Sequence, residues 1–521
     1  MTLQVVRAVD NLERYNITRS NVNIYHNVVI GNRIQSLHPT QHLPSFNSST
    51  INAQQEWAQF LLDPVTWLID QHPFLAVVLG DHLTAKPMFL RLESLDLLPL
   101  VRVVTIKEAA DVAHVMEQEH NVPFDLSDQI TPLWRLVVAP IENDPSSFYL
   151  LYTFHHVIGD GRSAMALTTQ LIEQLNQQAL KKNSLSVSQS TSTKTATMRI
   201  PVTSTKPAPA SIESRVNCYP SLRTLVLEAT KAILLPGFMK KALETKYWAG
   251  EIDSSLDVPN ETELAFWQLT KEETEMVVQA ARKRATTVQS ILYAASIFAT
   301  KSVFMSSGHE INSNNNGTTS TDDEAIVFAT PVSLRGLIPN RIASEDQGNY
   351  TSEILHDNIC VQDQSSFWEM THAYRQQVVR ATTTARGLQE LLEHFGMLGL
   401  LSKKDGAWET FMASKVHKDQ HGRKATVKLS NLGRGWTGTG AGLERVEFLV
   451  QDAVFSQSSG VTASALTMNV ATANGVMTAT TAWQKAAFRG RKRGEMFMSE
   501  FKRILFAAIE DSREEYLFRD V

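Results

Sequence analysis

Apolar positions along the 521-residue chain change period repeatedly, and each change marks an element. From Val22 to Ile30 apolar and polar residues alternate and then end in Val28-Val29-Ile30, which predicts a strand that becomes fully buried. Trp57, Phe60, Leu61, Trp67 and Leu68 suggest helical packing up to His72-Pro73, where the proline turns the chain. Two short strands are expected from Leu75 to Leu79 and from Met88 to Leu92, around a Gly80-Asp81 turn. Phe148 to Phe154 is rich in aromatic and β-forming residues and predicts a central strand. That strand runs straight into His155-His156. From Gly161 the period becomes helical, with Ala164, Leu167, Leu171, Ile172 and Leu175.

Residues 181–214 are rich in Ser, Thr, Lys and Pro with few large apolar side chains, so a flexible linker or surface loop is expected there. Residues 306–324, with Asn314-Asn315-Asn316-Gly317, predict a long exposed loop. Thr270 with Glu273, and Thr286 with Gln289, form two capping-box patterns that open consecutive helices. Ala325 to Pro331 has the composition of a buried strand. Asn474-Gly475, between Val461–Val470 and Val476–Trp483, predicts a hairpin. A final amphipathic helix is expected over Phe497 to Leu517, docked on the body or, as the alternative, lying on a membrane surface.

Helices and mixed strands alternate throughout, which fits α/β or α+β sheets with helices packed on them. A single core stops growing at roughly 250–300 residues, so two large domains are expected, 1–180 and 215–521, joined by the 181–214 linker. Hydrophobic residues at 43% and charged residues at 20% are ordinary for a globular chain. A net charge of −5 gives no reason to expect a nucleic-acid partner. The one dense basic run, Arg489, Arg491, Lys492 and Arg493, is either a solvated corner or a landing site for a phosphate-bearing ligand. Two cysteines, Cys218 and Cys360, are too few for a disulfide framework or a cysteine zinc site. The start lacks a signal-peptide layout, and no uninterrupted apolar stretch reaches about 18 residues. The expectation is an intracellular, cytoplasmic protein, at most peripheral on endoplasmic reticulum or lipid droplets, and a monomer.

The stretch Phe154-His155-His156-Val157-Ile158-Gly159-Asp160-Gly161 breaks core patterning directly after a buried strand, and such breaks tend to mark function. The bland alternative is two satisfied turn histidines and an Asp160 that caps the next helix. A metal site is disfavoured because adjacent strand residues point to opposite faces and no Cys/His cluster completes a ligand set.

His155-His156-x-x-x-Asp160-Gly161 resembles the HHxxxDG motif of the chloramphenicol-acetyltransferase-like superfamily. That group includes the plant BAHD acyltransferases, peptide-synthetase condensation domains and fungal alcohol acetyltransferases. The fungal branch looks most similar, through Leu12-Glu13-Arg14-Tyr15, Asn23-Ile24-Tyr25-His26-Asn27-Val28, His72-Pro73-Phe74-Leu75, Pro132-Leu133-Trp134-Arg135-Leu136 and Ser430-Asn431-Leu432-Gly433. The resemblance implies an α/β fold of two acetyltransferase-like domains, each a mixed sheet flanked by helices, with an active-site tunnel between them.

It also implies roles. His156 would be the general base, which suits an imidazole with an ordinary pKa of about 6.5. His155 and Gly161 belong to the motif, and Gly161 would let the helix approach closely. Asp160 would shape the loop by pairing with a distant arginine, for which Arg335 in Pro331-Val332-Ser333-Leu334-Arg335-Gly336 is the candidate. Ser430 and Asn431 are candidates for the oxyanion donor or the tunnel wall. Where the plant branch has Asp-Phe-Gly-Trp-Gly, this chain has Gly433-Arg434-Gly435-Trp436. The expected reaction is transfer of an acetyl group from acetyl-CoA, a co-substrate with no bound cofactor, to a small alcohol or secondary-metabolite acceptor. Alternatives within the resemblance are a condensation-type transferase using a carrier-protein thioester and a non-catalytic binding protein.

Overall fold

The computed structural model describes residues 3–44, 50–184, 198–233, 246–305, 324–339, 341–401, 403–417, 420–435, 446–511, 513 and 515–521. Two mixed sheets dominate. The first has five strands in the order Phe448–Gln457, Val28–Ser36, Asp144–Phe154, Trp134–Ile141 and Val101–Val103. The second has six, in the order Thr262–Gln268, Val476–Gln484, Ser464–Ala473, Ala425–Arg434, Ile326–Ser333 and Thr351–Ile359. Helices Thr50–Gln71 and Gly161–Ser184 cover the first sheet around Trp57, Leu61, Phe148 and Leu175. Helices Val288–Thr300, Phe367–Thr383 and Lys492–Glu510 cover the second around Phe298, Phe367 and Phe501.

Chain order and spatial order differ at one strand. Phe448–Gln457 comes late in the chain yet pairs antiparallel with Val28–Ser36, so the first sheet is completed from beyond the expected boundary. Its other side is held by the second sheet: Thr478 Oγ1 donates to Ala453 O at 2.5 Å and Thr480 Oγ1 to Phe455 O at 2.8 Å. A strand edge left unpaired would expose a row of backbone groups, and here threonine hydroxyls satisfy it while tying the two sheets together.

The expected linker is only partly what its composition suggests. Residues 185–197 lie outside the described residues. The rest is anchored: Arg199–Pro201 pairs with Ser94–Asp96, and Ile200 and Ile212 are buried. Those two are among the few large apolar residues it has, and burying them fixes the segment to the body. Of the expected loop over 306–324, residues 306–323 lie outside the described residues.

Several element boundaries move. The strand expected from Val22 starts at Val28, after Asn23 has turned the backbone to φ 55. The Thr270–Glu273 capping box forms. The next helix is capped one residue later than expected, Thr287 Oγ1 accepting the Ser290 N–H at 3.1 Å, while Thr286 Oγ1 is buried without a partner. The hairpin turns on Asn474 (φ 49) and Gly475 (φ 79), the left-handed pair a two-residue turn needs. The last helix runs Lys492–Glu510, ends short of Leu517, and buries Phe497, Phe501, Leu505 and Ala508 in the protein's own core. Val288–Met305 is long and apolar enough to cross a membrane by composition, but 78% of it is buried inside the protein.

Candidate active site

Strand Asp144–Phe154 is paired on both sides, so its end delivers His155-His156 to the space between the sheets. The two rings then diverge. His155 is buried; its Nδ1 accepts the Val157 N–H at 3.1 Å, which places the proton on Nε2, 2.7 Å from Ser20 Oγ. Burial pushes it down to about 3, so it stays neutral. His156 is half-buried, with Asn349 Nδ2 3.0 Å from its Nδ1 and 3.3 Å from its carbonyl oxygen. Burial and then the nearby Arg19 cation push His156 down to about 4.

Asp160 spends its hydrogen-bonding capacity away from His156. Oδ1 accepts the Ser163 N–H at 2.9 Å, capping the helix, while Oδ2 takes Arg335 Nη1 at 2.5 Å and the Tyr350 N–H at 3.0 Å. Arg335 also donates to Ser163 Oγ at 2.8 Å and Asp346 O at 3.1 Å, with its guanidinium 4.8 Å over the Tyr350 ring. Burial alone would raise the Asp160 carboxyl, but Arg335 and the two backbone donors hold it below its ordinary value. The motif loop is thereby fastened to the loop that enters strand Thr351–Ile359. At Gly161 a Cβ would fall 2.6 Å from Leu432 Cδ2, so the helix starts close to strand Ala425–Arg434 and a larger residue here would push the Leu432 side chain aside.

His156 lines two cavities. One, of about 160 Å³, is walled by Ser430, Asn431, Arg162 and Phe455. The other, of about 290 Å³, is walled by Arg19, Asn349, Glu353 and Lys424. Pro331, Thr351, Lys428 and Gln457 border both, so the imidazole stands at the neck between them. Asn431 in turn borders a third space of about 740 Å³, lined by Lys271, Thr274, Arg434 and Gln451. Shared walls make the three neighbours, and His156 lies between the first two.

Ser430 and Asn431 are thus brought to the base's side. The Ser430 hydroxyl has no hydrogen-bond partner among the described residues, whereas Asn431 Oδ1 accepts the Gly433 N–H at 2.8 Å and shapes the bend there. Arg434 and Gly435 line the third cavity, and Trp436 lies outside the described residues. Neither Cys218 nor Cys360 borders these spaces. The basic run sits elsewhere, in ion pairs of Arg491 with Glu117 and Glu495 and of Arg493 with Glu251. Sequence reasoning missed Asn349 and Arg19. Asn349 carries the same signal as the histidines, a polar residue beside a strand end; Arg19 looks like any helix arginine until Tyr15 and Tyr25 close around it.

The chain matches the model of the family described as alcohol acetyltransferase over residues 109–505, which holds both the histidine motif and Ser430. It is 29% identical over 108 residues to a probable alcohol acetyltransferase, crmB, of Aspergillus fumigatus, an alignment that covers 19% of this chain and 23% of that protein. In fold it resembles TRI3 trichothecene 15-O-acetyltransferase from Fusarium sporotrichioides, with a TM-score of 0.64 at 13% identity over 96% of this chain and 94% of that one. It also resembles the condensation domain of the monacolin K polyketide synthase MokA, with a TM-score of 0.58 at 10% identity over 99% of this chain and all of that one, 100%. These likenesses show the two-domain fold of condensation-type acetyltransferases, and the family match, which spans well over half of the residues, shows that the chain belongs to the alcohol acetyltransferase family.

Proposed function

We propose that this protein transfers an acetyl group from acetyl-CoA to the hydroxyl of an alcohol, with His156 as the general base. The observation that carries this reading is one neutral imidazole bordering two cavities, a geometry that lets two reactants meet at a single proton acceptor. A hydroxyl is a weak nucleophile at neutral pH, and a base within hydrogen-bond reach takes its proton as the oxygen attacks the thioester carbon. The C–O bond forms, the carbonyl electrons move onto oxygen, and the Ser430 hydroxyl, which has no hydrogen-bond partner among the described residues, donates to that oxyanion. When the intermediate collapses the C–S bond breaks. The imidazolium then returns its proton to the leaving thiolate, so ester and free CoA depart and His156 is neutral again.

A base at Nε2 needs its proton held on Nδ1. The group placed to hold that proton is Asn349, whose amide lies 3.0 Å from Nδ1 with its Nδ2 turned to the ring. The Asn349 Oδ1 is buried without a partner; turning the amide end for end sets it against Nδ1–H. Asp160 has no part in the proton transfer and keeps the loop in shape.

The test is incubation of the purified protein with acetyl-CoA and a panel of alcohols, following ester by mass spectrometry. Ester that forms only with both reactants present supports the proposal. Acetate released without alcohol would identify a thioester hydrolase instead.

A further inference from the structure

Arg19 is a cation without an anion. Its guanidinium is stacked between Tyr15, at 4.8 Å, and Tyr25, at 4.1 Å, and among the described residues it forms no ion pair. One Nη donates to Asn16 Oδ1, while the buried Nε has no partner. It borders the same cavity as His156, and the Tyr25 ring it stacks on has its centroid 6.1 Å from that of His156.

The cavity around it is cationic. Lys415, Lys424 and Lys428 share its wall, and among the described residues Glu353 pairs with Lys424, at 2.5 Å, and Lys428, at 3.1 Å. Lys415, like Arg19, has no carboxylate partner among the described residues. The field is felt at Tyr15: burial pushes its hydroxyl up, yet Arg19, Lys415 and Lys424 bring it below its ordinary value. Arg19 is half-buried with its Nε shielded from water, and a cation so held gains from an anion that pairs with it in the working state. Planar guanidinium is also the group best shaped to take a carboxylate.

Building on the acetyl-transfer reading, we propose that this cavity binds the acceptor, and that the acceptor carries a carboxylate on the same molecule as its reacting hydroxyl, seated against Arg19 and Lys415. The phosphates of CoA are the competing anionic source. They lie a whole pantetheine arm from the thioester, whereas Arg19 lines the same cavity as the base and stacks on a ring beside it, so a group bound at Arg19 belongs to something short. The acceptor class is therefore a hydroxycarboxylic acid, and the opposite passage is left for the donor.

The test needs no turnover. Calorimetric titration of the full-length protein with para-(hydroxymethyl)benzoate and with its methyl ester compares charge at nearly constant shape. The acid is expected to bind at least about tenfold more tightly than the ester, and Arg19→Gln to remove most of that ratio. Lys415→Gln should reduce it in the same direction and serves if Arg19→Gln fails to fold. In turnover, the acid-to-ester ratio of kcat/KM should fall in parallel. Equal binding of acid and ester, equal loss of both in Arg19→Gln, or no binding of either overturns the proposal. So does an Arg19→Gln defect seen with acetyl-CoA but not with phosphate-free acetyl-pantetheine, which would assign the cations to the donor. Failure of acetyl transfer to every alcohol, with the binding preference intact, would instead sink the reading of the reaction.

Discussion

Arg335 Nη1 lies 2.5 Å from Asp160 Oδ2, joining residues 175 positions apart in a buried pair from which His156 receives no hydrogen bond. Deleting one partner of such a pair leaves an uncompensated charge, which typically costs about 3–5 kcal/mol. Arg335→Met is expected to lower unfolding stability by about that much, and Asp160→Asn by less, since the amide keeps some of the same bonds. Urea denaturation of both single variants and the double variant measures this. A combined loss well below the sum of the two is expected for groups in contact.

The pH dependence of turnover should reflect a depressed imidazole. His156 must be neutral to act as base, and its protonated fraction grows only as pH falls toward about 4. The acidic limb of kcat/KM should therefore lie well below the ordinary histidine value of about 6.5. Arg19 is one cause of the depression, so Arg19→Gln should move the limb to higher pH. A limb that stays at the same pH in the variant would disconnect the two residues.

Asn349→Ala removes a side chain that contacts the base and not the reacting atoms. The imidazole is then free to tilt and to exchange tautomers, and misplacement on that scale costs about a hundredfold in rate. The fall should appear in kcat with KM little changed, and steady-state kinetics separate the two.

Ser430→Ala deletes the proposed oxyanion donor and should lower kcat by about a hundredfold to a thousandfold, with acetyl-CoA affinity retained. A change within threefold or so would point to a backbone amide in its place.

Acid should destabilise the fold before it denatures ordinary carboxylate networks. His120 and His155 are buried and held to about 3, so between about pH 6.5 and 3 the unfolded chain binds protons that the folded chain does not. Their neutral packing contributes fully above about pH 6.5, and that stability drains away as pH falls toward 3. Thermal unfolding across this range should show a falling midpoint, with no effect of these two residues above neutrality.

What the sequence disclosed depended on how local each signal is. The HHxxxDG stretch and the Asn474-Gly475 hairpin are short and self-contained, so both could be placed from residue order alone. The partner of Asp160 needed a resemblance to find, because nothing near Arg335 announces a residue 175 positions away. Three features were out of reach for physical reasons. Strand Phe448–Gln457 crosses into the first sheet through pairing that no local period encodes. Ile200 and Ile212 anchor a segment whose average composition says linker. Arg19 becomes notable only through what surrounds it and what is missing beside it.

The central claim is that a single imidazole at the neck of the passage removes the alcohol proton as the thioester is attacked. Single-turnover release of free CoA thiol from acetyl-CoA, with and without a reactive alcohol, in the wild type and in His156→Gln, tests it most directly. The account predicts release that requires alcohol and falls by about a hundredfold to ten-thousandfold in the variant, with the fold unchanged by circular dichroism. Release that is indifferent to alcohol, or a variant within a few-fold of the wild type, would contradict it.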